Sequence, residues 1–263
     1  MSKVKLKMRG VQQLNEGTVN FNDQTVKING SEYKVDELPV DVPLSGTIYG
    51  TLLNYQGVYE ALESSMNKDP YKKPPKAPIL YIKPTNTQIS AEAAIPMPNH
   101  VSELEMGAAL GIVISKQASK VKEEEALDYV FGYTIVNDVS IPHDSVYRPA
   151  IKEKARDGFC PVGPWIMERD AIENPDELAI SVSINGELKQ ENNTKNLIRS
   201  VRKLLADVTS FMTLYAGDTL MVGVPEHAPL AKENDHVQIE IAGIGTLKNT
   251  IHKEEDVLGG IVR

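Results

Sequence analysis

Two carboxylates, Glu103 and Glu105, stand one residue apart, with Val101, Leu104, Met106 and Ala108 around them and the apolar run Leu110-Gly111-Ile112-Val113-Ile114 just beyond. That run reads as a strand at the edge of a buried sheet. Residues two apart on a strand point to one side, so both carboxylates would share a face. Desolvating a lone carboxylate is costly, and a pair leading into a core needs a counter-charge or an open, solvated face. A divalent cation answers the first case. Asp138 ends a second apolar run, Tyr129 to Val136, and as a strand-end residue is able to complete a three-carboxylate oxygen site. Hard oxygen donors of this kind select magnesium, manganese or calcium over zinc. On the residues alone, a solvated strand face remains the alternative.

A chain of 263 residues is long enough for one large domain with a small appendage. Acidic residues number 36 against 28 basic ones, a formal net charge of -8, and no basic cluster is dense enough to grip nucleic acid. The single cysteine, Cys160, excludes an internal disulfide. Met1 to Lys7 lack an apolar signal core, and no stretch approaches the roughly 20 apolar residues of a membrane span, so a cytoplasmic protein without membrane partners is expected.

Residues 1–45 alternate in short β-like pieces punctuated by turns, among them Thr25-Val26-Lys27-Ile28 followed by Asn29-Gly30, a strong hairpin signal. They are read as a small N-terminal β appendage, and residues 46–263 as the main, catalytic domain. Strands are expected over Ile48 to Tyr55, Ile79 to Pro84, Leu178 to Ile184, Thr219 to Pro225 and Val237 to Ile241, with helices over 58–66, 122–129 and 194–212. From Ile141 to Pro164 periodicity disappears into a long irregular loop rich in Pro, Gly, His, Tyr, Arg and Lys, and loops of this length are more often functional than idle. The fold class is mostly β, with a few helices.

The motifs, in order, are Glu103-x-Glu105, Gly132-Tyr133-Thr134, Asn137-Asp138-Val139-Ser140, Lys154, Phe159-Cys160-Pro161 with Gly163-Pro164-Trp165-Ile166, Asn185-Gly186-Glu187, Gln190, Thr194, Gly223-x-Pro225 and Gly243-Ile244-Gly245. Together they resemble the fumarylacetoacetate hydrolase family over roughly residues 46 to 250. The resemblance implies a mixed β-sandwich or roll with peripheral helices. It also implies a magnesium ion, with manganese as a substitute, held by Glu103, Glu105 and Asp138, and a homodimer, with a sister subunit as a further partner.

Within the family, Tyr81-Ile82-Lys83-Pro84 and the run Tyr147-Arg148-Pro149-Ala150-Ile151-Lys152 look like the decarboxylase-type branch that serves 4-hydroxyphenylacetate (homoprotocatechuate) breakdown. Its substrate is a small anionic 2-oxo acid, 5-oxopent-3-ene-1,2,5-tricarboxylate, and isomerisation of 2-hydroxyhepta-2,4-diene-1,7-dioate accompanies the decarboxylation. In such a substrate the carbon bearing the departing carboxylate is connected to the ketone through a double bond, so loss of carbon dioxide sends electrons to a carbonyl that a metal ion polarises. Lys154 matches the family's active-site lysine, for charge stabilisation or proton delivery. His143, five residues beyond Asp138, is a candidate proton carrier. Tyr147 and Arg148 are candidates to clamp the remote carboxylate, Arg by bidentate pairing, and Gln190 and Thr194 match substrate-contacting positions.

Two departures stand out. Hydrolytic members carry a histidine after the Asn-Tyr that matches Asn54-Tyr55, whereas this chain reads Gln56-Gly57-Val58-Tyr59-Glu60. Without that base, carbon–carbon hydrolysis loses its water-derived nucleophile, which favours decarboxylation or isomerisation over acylpyruvate hydrolysis. The second is Val222-Gly223-Val224-Pro225 in place of Thr-Gly-Thr-Pro, which removes a hydroxyl from the substrate's neighbourhood.

Overall fold

The structure, a computed structural model, describes residues 1–69, 72–144 and 150–259. Strands β1 (Ser2–Met8), β2 (Leu14–Asn20), β3 (Thr25–Ile28) and β4 (Ser31–Lys34) form an antiparallel meander, with the short β5 (Val40–Asp41) against β1. Asn29 and Gly30 carry φ of 49° and 83° between β3 and β4, so the Asn-Gly signal becomes the tight turn it predicts. This segment is less separate than an appendage: β1 pairs with the strand Cys160–Glu168, and Val4, Leu6, Val19 and Val26 share a core cluster with the remainder of the chain.

The chain continues through β6 (Ile48–Leu52), helix α1 (Gln56–Met66), β7 (Ile79–Lys83), β8 (Gln88–Ser90), β9 (Ala94–Met97), β10 (Leu104–Glu105), β11 (Ala108–Ile114) and β12 (Val130–Asn137). A single helical turn, α2 (Ile151–Lys154), precedes β13 (Cys160–Glu168), β14 (Ala179–Ile184) and β15 (Glu187–Asn193). Helix α3 (Val201–Thr209), β16 (Thr219–Met221), β17 (Leu230–Ala231), β18 (His236–Ile241), β19 (Gly245–Lys253) and α4 (Glu254–Leu258) complete it.

The large mixed sheet has the order β4-β3-β2-β1-β13-β12-β11-β16-β6-β7, and a second sheet, β15-β14-β18-β19-β9, packs on one of its faces. Alternation builds the interface. Leu110, Ile112, Tyr133, Ile135, Trp165 and Met167 of the large sheet share one cluster with Ile180, Val182, Val237, Ile239, Ile241 and Leu247 of the second. The opposite face of the large sheet carries a smaller cluster that includes Ala109, Val113, Val136, Val162 and Met221. Trp165 fastens the two sheets, because its indole N–H donates to the Ile244 carbonyl at 2.7 Å from within the core. The family-like mixed β fold is therefore the one observed.

Several local expectations change. The strand beyond Glu105 is central, not at an edge: β11 lies between β12 and β16 and is buried throughout. A run buried on both faces loses the polar alternation that would reveal its neighbours. The expected helix over 194–212 begins only at Val201, where the Ser200 hydroxyl accepts from the Lys203 N–H; before it lies a 3-10 turn, Thr194–Asn196, capped by the Asn193 side chain. The irregular loop ends at Phe159, since Cys160 to Pro164 already belong to β13. Among the described residues no helix is long and apolar enough to cross a membrane.

Replacing Trp165 by Ala removes the largest fully buried side chain and its inter-sheet hydrogen bond. A loss of about 3–5 kcal/mol is expected in urea unfolding, with the midpoint falling and the slope unchanged.

Candidate active site

The site arises from strand register. Along β11 and β12, Ala108 faces Asn137, and the same antiparallel register carries on past the strand ends to the bridge between Glu105 and Ser140. Asp138 N–H donates to Gly107 O at 2.8 Å, Glu105 N–H to Ser140 O at 2.8 Å and Ser140 N–H to Glu105 O at 3.2 Å. Residues directly opposite share a face, and so do residues two apart, so Glu105, Asp138 and Ser140 come together on one side. The Ser140 hydroxyl lies 3.5 Å from Glu105 Oε1.

Asp138 is 1 % exposed and is held by three groups that converge from elsewhere. Lys83 Nζ lies 2.9 Å from Oδ1, Lys154 Nζ lies 2.8 Å from Oδ2, and the Tyr81 hydroxyl also donates to Oδ2. Tyr81 and Lys83 stand two apart on β7, which aims both at the same point. Gly50, across the sheet from Tyr81, leaves space for the ring, since a Cβ there would overlap it. Lys83 is itself fully buried and donates to the carbonyls of Val139 at 3.1 Å and Lys154 at 2.6 Å. Its three protons thus have three partners, which is how a buried ammonium survives. Lys154 also lies over the Tyr81 ring, 5.3 Å from its centre.

The electrostatics are uneven. Burial opposes the charge on Asp138, but Lys154 and Lys83 together outweigh it and hold the carboxyl well below its ordinary range. Glu105 goes the other way: burial first, and the nearby Asp138 charge second, raise it, while Lys154, His143 and the Ser140 hydroxyl draw it down. Tyr81 is pushed well above its ordinary value by burial and by Asp138, so its hydroxyl keeps its proton and donates it.

Glu103 lies just before β10 and points outward, with Lys232 Nζ 3.4 Å from its carboxylate. It lines a cavity of about 470 Å³ together with His100, His143 and Lys152. His143 is half-buried, and its Nδ1 is buried with no hydrogen-bond partner among the described residues. Among the described residues no three His, Cys, Asp or Glu side chains are gathered as around a metal ion. The donor chemistry nonetheless fits a hard cation. Glu105 and Asp138 are within electrostatic reach, Asp138 Oδ1 meets only the Lys83 ammonium among the described residues, and the Glu103–Lys232 pair at the surface is of a kind worth only about 0–1 kcal/mol to break.

Of the remaining expected site residues, Tyr147 and Arg148 lie outside the described residues. Gln190 is 7 % exposed; its Nε2 donates to Glu226 O at 2.6 Å and its Oε1 has no partner. Thr194 is buried, donating to Pro175 O and accepting from Leu178 N–H, each at 2.8 Å. Cys160 is fully buried, and burial raises its thiol to about 12, in keeping with packing rather than nucleophilic attack. Lys83, Tyr81 and Ser140 were not assigned roles from sequence. The readable signal for Lys83 was a lysine in register with Tyr81 at the end of an otherwise apolar strand.

Residues 47–252 match the family described as fumarylacetoacetate (FAA) hydrolase C-terminal. The chain belongs to this family. It is 39 % identical over 214 residues to the 4-hydroxyphenylacetate degradation bifunctional isomerase/decarboxylase of Escherichia coli, which covers 81 % of this chain and 49 % of that protein. The chain thus spans about half the length of that relative. The structure of 5-carboxymethyl-2-hydroxymuconate delta-isomerase from Mycobacterium smegmatis superposes with a TM-score of 0.77 at 23 % identity, covering 96 % of this chain and 99 % of the other. Maleylpyruvate hydrolase from Sphingobium sp. SYK-6, in complex with manganese (II) ion and pyruvate, gives 0.76 at 21 % identity, with 95 % and 99 % covered. At these identities the two structures establish a shared fold.

Two outcomes test the site's electrostatics. Lys83→Met leaves Asp138 short of one of its two counter-charges in a dry environment, and a loss of about 3–5 kcal/mol in chemical denaturation is expected. For Cys160, a folded-state value raised above the unfolded one means that its stabilising contribution is complete below about pH 8.5 and lost as pH rises toward the folded value. An aromatic disulfide reagent at pH 8 should therefore label the thiol at the rate of unfolding, and one equivalent should react at once in 6–8 M urea, roughly the range that denatures small proteins.

Proposed function

We propose that this chain decarboxylates a 2-oxo-alkene tricarboxylate of the 5-oxopent-3-ene-1,2,5-tricarboxylate type and ketonises the resulting 2-hydroxy-2,4-diene at the same site, as a homodimer, in the degradation of 4-hydroxyphenylacetate. The observation that carries this reading is the nest around Asp138, where two lysines and a tyrosine meet two carboxylates at the ends of β7, β10 and β12. Its likeness to half of the E. coli isomerase/decarboxylase supports the reaction class.

Glu103, Glu105 and Asp138 would hold the divalent ion, magnesium or manganese. When bound, the ion supplies the positive charge that draws electrons onto the carbonyl oxygen of a 2-oxo acid. The protein's own groups perform the other tasks. Lys83 stays buried and fixes Asp138, so the carboxylate cannot swing away when a substrate enters. Lys154, 14 % exposed at its side chain, is the cation of the pair that can turn toward a substrate anion without leaving Asp138. Tyr81 keeps one oxygen of Asp138 occupied. His143, with a free Nδ1, stands beside Glu105 as a proton carrier. Arg148 and Tyr147 are assigned to the remote carboxylate.

A hydrolase of the acylpyruvate type is the competing reading, and the stretch Gln56 to Glu60 offers no histidine to activate water. An isomerase without decarboxylase activity is the nearer alternative.

The decisive experiment supplies magnesium and the tricarboxylate to purified protein and follows carbon dioxide release together with the ultraviolet band of the dienol, with Glu105→Gln as control. Release that is abolished by chelation and reduced at least 100-fold in the variant is expected. Consumption of added dienol with no carbon dioxide from the tricarboxylate would instead identify the isomerase.

A further inference from the structure

Around Glu226, three buried oxygen atoms from separate parts of the chain have no hydrogen-bond partner among the described residues. They are Oε2 of Glu226, the hydroxyl of Tyr55 and Oε1 of Gln190. Tyr55 is fully buried at the residue that caps α1, and Gln190 is 7 % exposed on β15. Leaving a buried polar atom unpaired costs about 1–3 kcal/mol, so the carboxylate oxygen and the two others near Glu226 mark a place shaped for something else to occupy.

Glu226 is fixed there. Its Oε1 accepts from Asn192 Nδ2 at 3.0 Å, and its backbone carbonyl accepts from Gln190 Nε2 at 2.6 Å. Its carboxyl group rests in the space left by Gly57 in the first turn of α1, where a Cβ would overlap it. It is also close enough to Tyr55 for its charge to act on the phenol. The remaining oxygen, Oε2, is thus positioned yet unspent.

The segment that delivers Glu226 also touches the first site. A Cβ on Gly107 would lie 3.0 Å from Val224 Cγ2 and 3.2 Å from Asp138 Cβ, so Val224 and Asp138 flank the same glycine. Two residues of chain reach at most about 7 Å, which sets the Glu226 backbone one short step from that contact. Other carboxylates nearby are engaged or exposed: Glu60 lies on the solvent side of α1 and accepts from Gln56 Nε2 at 2.8 Å. Lys154 is held at Asp138.

We propose that Glu226 is a catalytic acid–base residue that delivers the proton to the distal carbon of the substrate while its 2-oxo end lies at Glu105 and Asp138. The assignment rests on the functional reading above and names the group that completes it. In ketonisation, the enol proton leaves the C2 oxygen to water and the C2–O bond becomes a carbonyl. The C2–C3 electron pair shifts to C3–C4, and the C4–C5 pair forms a new C–H bond with the proton of the Glu226 carboxylic acid. The carboxylate left behind regains a proton from water. No oxidant or reductant is involved. After decarboxylation the sequence is the same, except that the pair from the broken carbon–carbon bond supplies the dienolate.

The test runs the reaction in deuterium oxide with the wild-type protein, Glu226→Gln, Glu226→Asp and Gly57→Ala, reading carbon dioxide release, ketonisation and the configuration of deuterium at C5. The wild type should place deuterium at C5 in one configuration. Glu226→Gln should ketonise at least 100-fold more slowly and give both configurations, with a much smaller fall in carbon dioxide release, Glu226→Asp should recover part of the rate, and Gly57→Ala should resemble the Gln variant. Unchanged ketonisation and a single configuration in Glu226→Gln would overturn the assignment, and so would a parallel fall in both activities, the signature of a merely structural residue. A wild-type protein that leaves both the tricarboxylate and the dienol untouched overturns the functional reading itself, and this reaction for Glu226 with it.

Discussion

A buried carboxylate between two ammonium groups is the constraint on which this structure turns. Asp138 sits at the end of β12 with almost no exposure, and an unpaired charge in that position would be untenable. Lys83 comes from β7 at the far edge of the large sheet, and Lys154 from α2, after the long connection that follows Asp138. Three distant parts of the chain are therefore tied to one atom pair, and Lys83 binds them again through the Val139 and Lys154 carbonyls. A buried pair of this kind adds little net stability compared with an apolar isostere, while breaking it is costly. It persists because the geometry has a use.

That use follows from the contrast between rigid and loosely held groups. Asp138, Lys83 and Tyr81 are buried and mutually saturated, so they present fixed charge. Glu103, paired with Lys232 at the surface, is released at little cost, and Glu105 is uncomfortable where it stands because burial and Asp138 both disfavour its charge. On the proposed reading, a divalent cation would relieve Glu105 and be held by Glu103 as well, with Asp138 staying where it is. Asp138 of the preorganised part and Glu105 of the adjustable part lie on the same face, which the β11–β12 register dictates.

Much of this was legible in the sequence, and the unread part has physical reasons. Asn29-Gly30 and Asn185-Gly186 announced hairpins because both residues of such a turn need positive φ, and both pairs have it. The Glu103-x-Glu105 and Asn137-Asp138 motifs were readable because they stand at strand ends. Edge strand β15 was not, since Glu187 to Asn193 are polar apart from an exposed Leu188, are mostly exposed and carry no alternation. The centrality of β11 was hidden by burial on both faces. Thr194 matched a family position, yet its hydroxyl is consumed by Pro175 and Leu178, a fact only tertiary structure supplies. Glu226 was invisible for the same reason: nothing local distinguishes a glutamate after Val-Pro, and its setting is made by Gly57, Gln190 and Asn192 from other elements.

The two sequence departures acquire a common meaning in this geometry. Val58 takes the place of a histidine that hydrolytic members carry, and Val224 takes the place of a hydroxyl-bearing residue; both are half-buried, Val58 packed against the main core and Val224 against the smaller cluster. One flanks Gly57, against which the Glu226 carboxyl group rests, and the other stands two residues before Glu226, so both departures lie next to the same carboxylate. Attack of water on carbon needs a water molecule held by two or more polar partners and a base to deprotonate it. Proton delivery to a carbon needs only one acid and the exclusion of water from the carbanionic centre. On the proposed reading, replacing two polar side chains by valine therefore does not disable the site. It removes the requirements for hydrolysis while leaving those for decarboxylation and ketonisation in place.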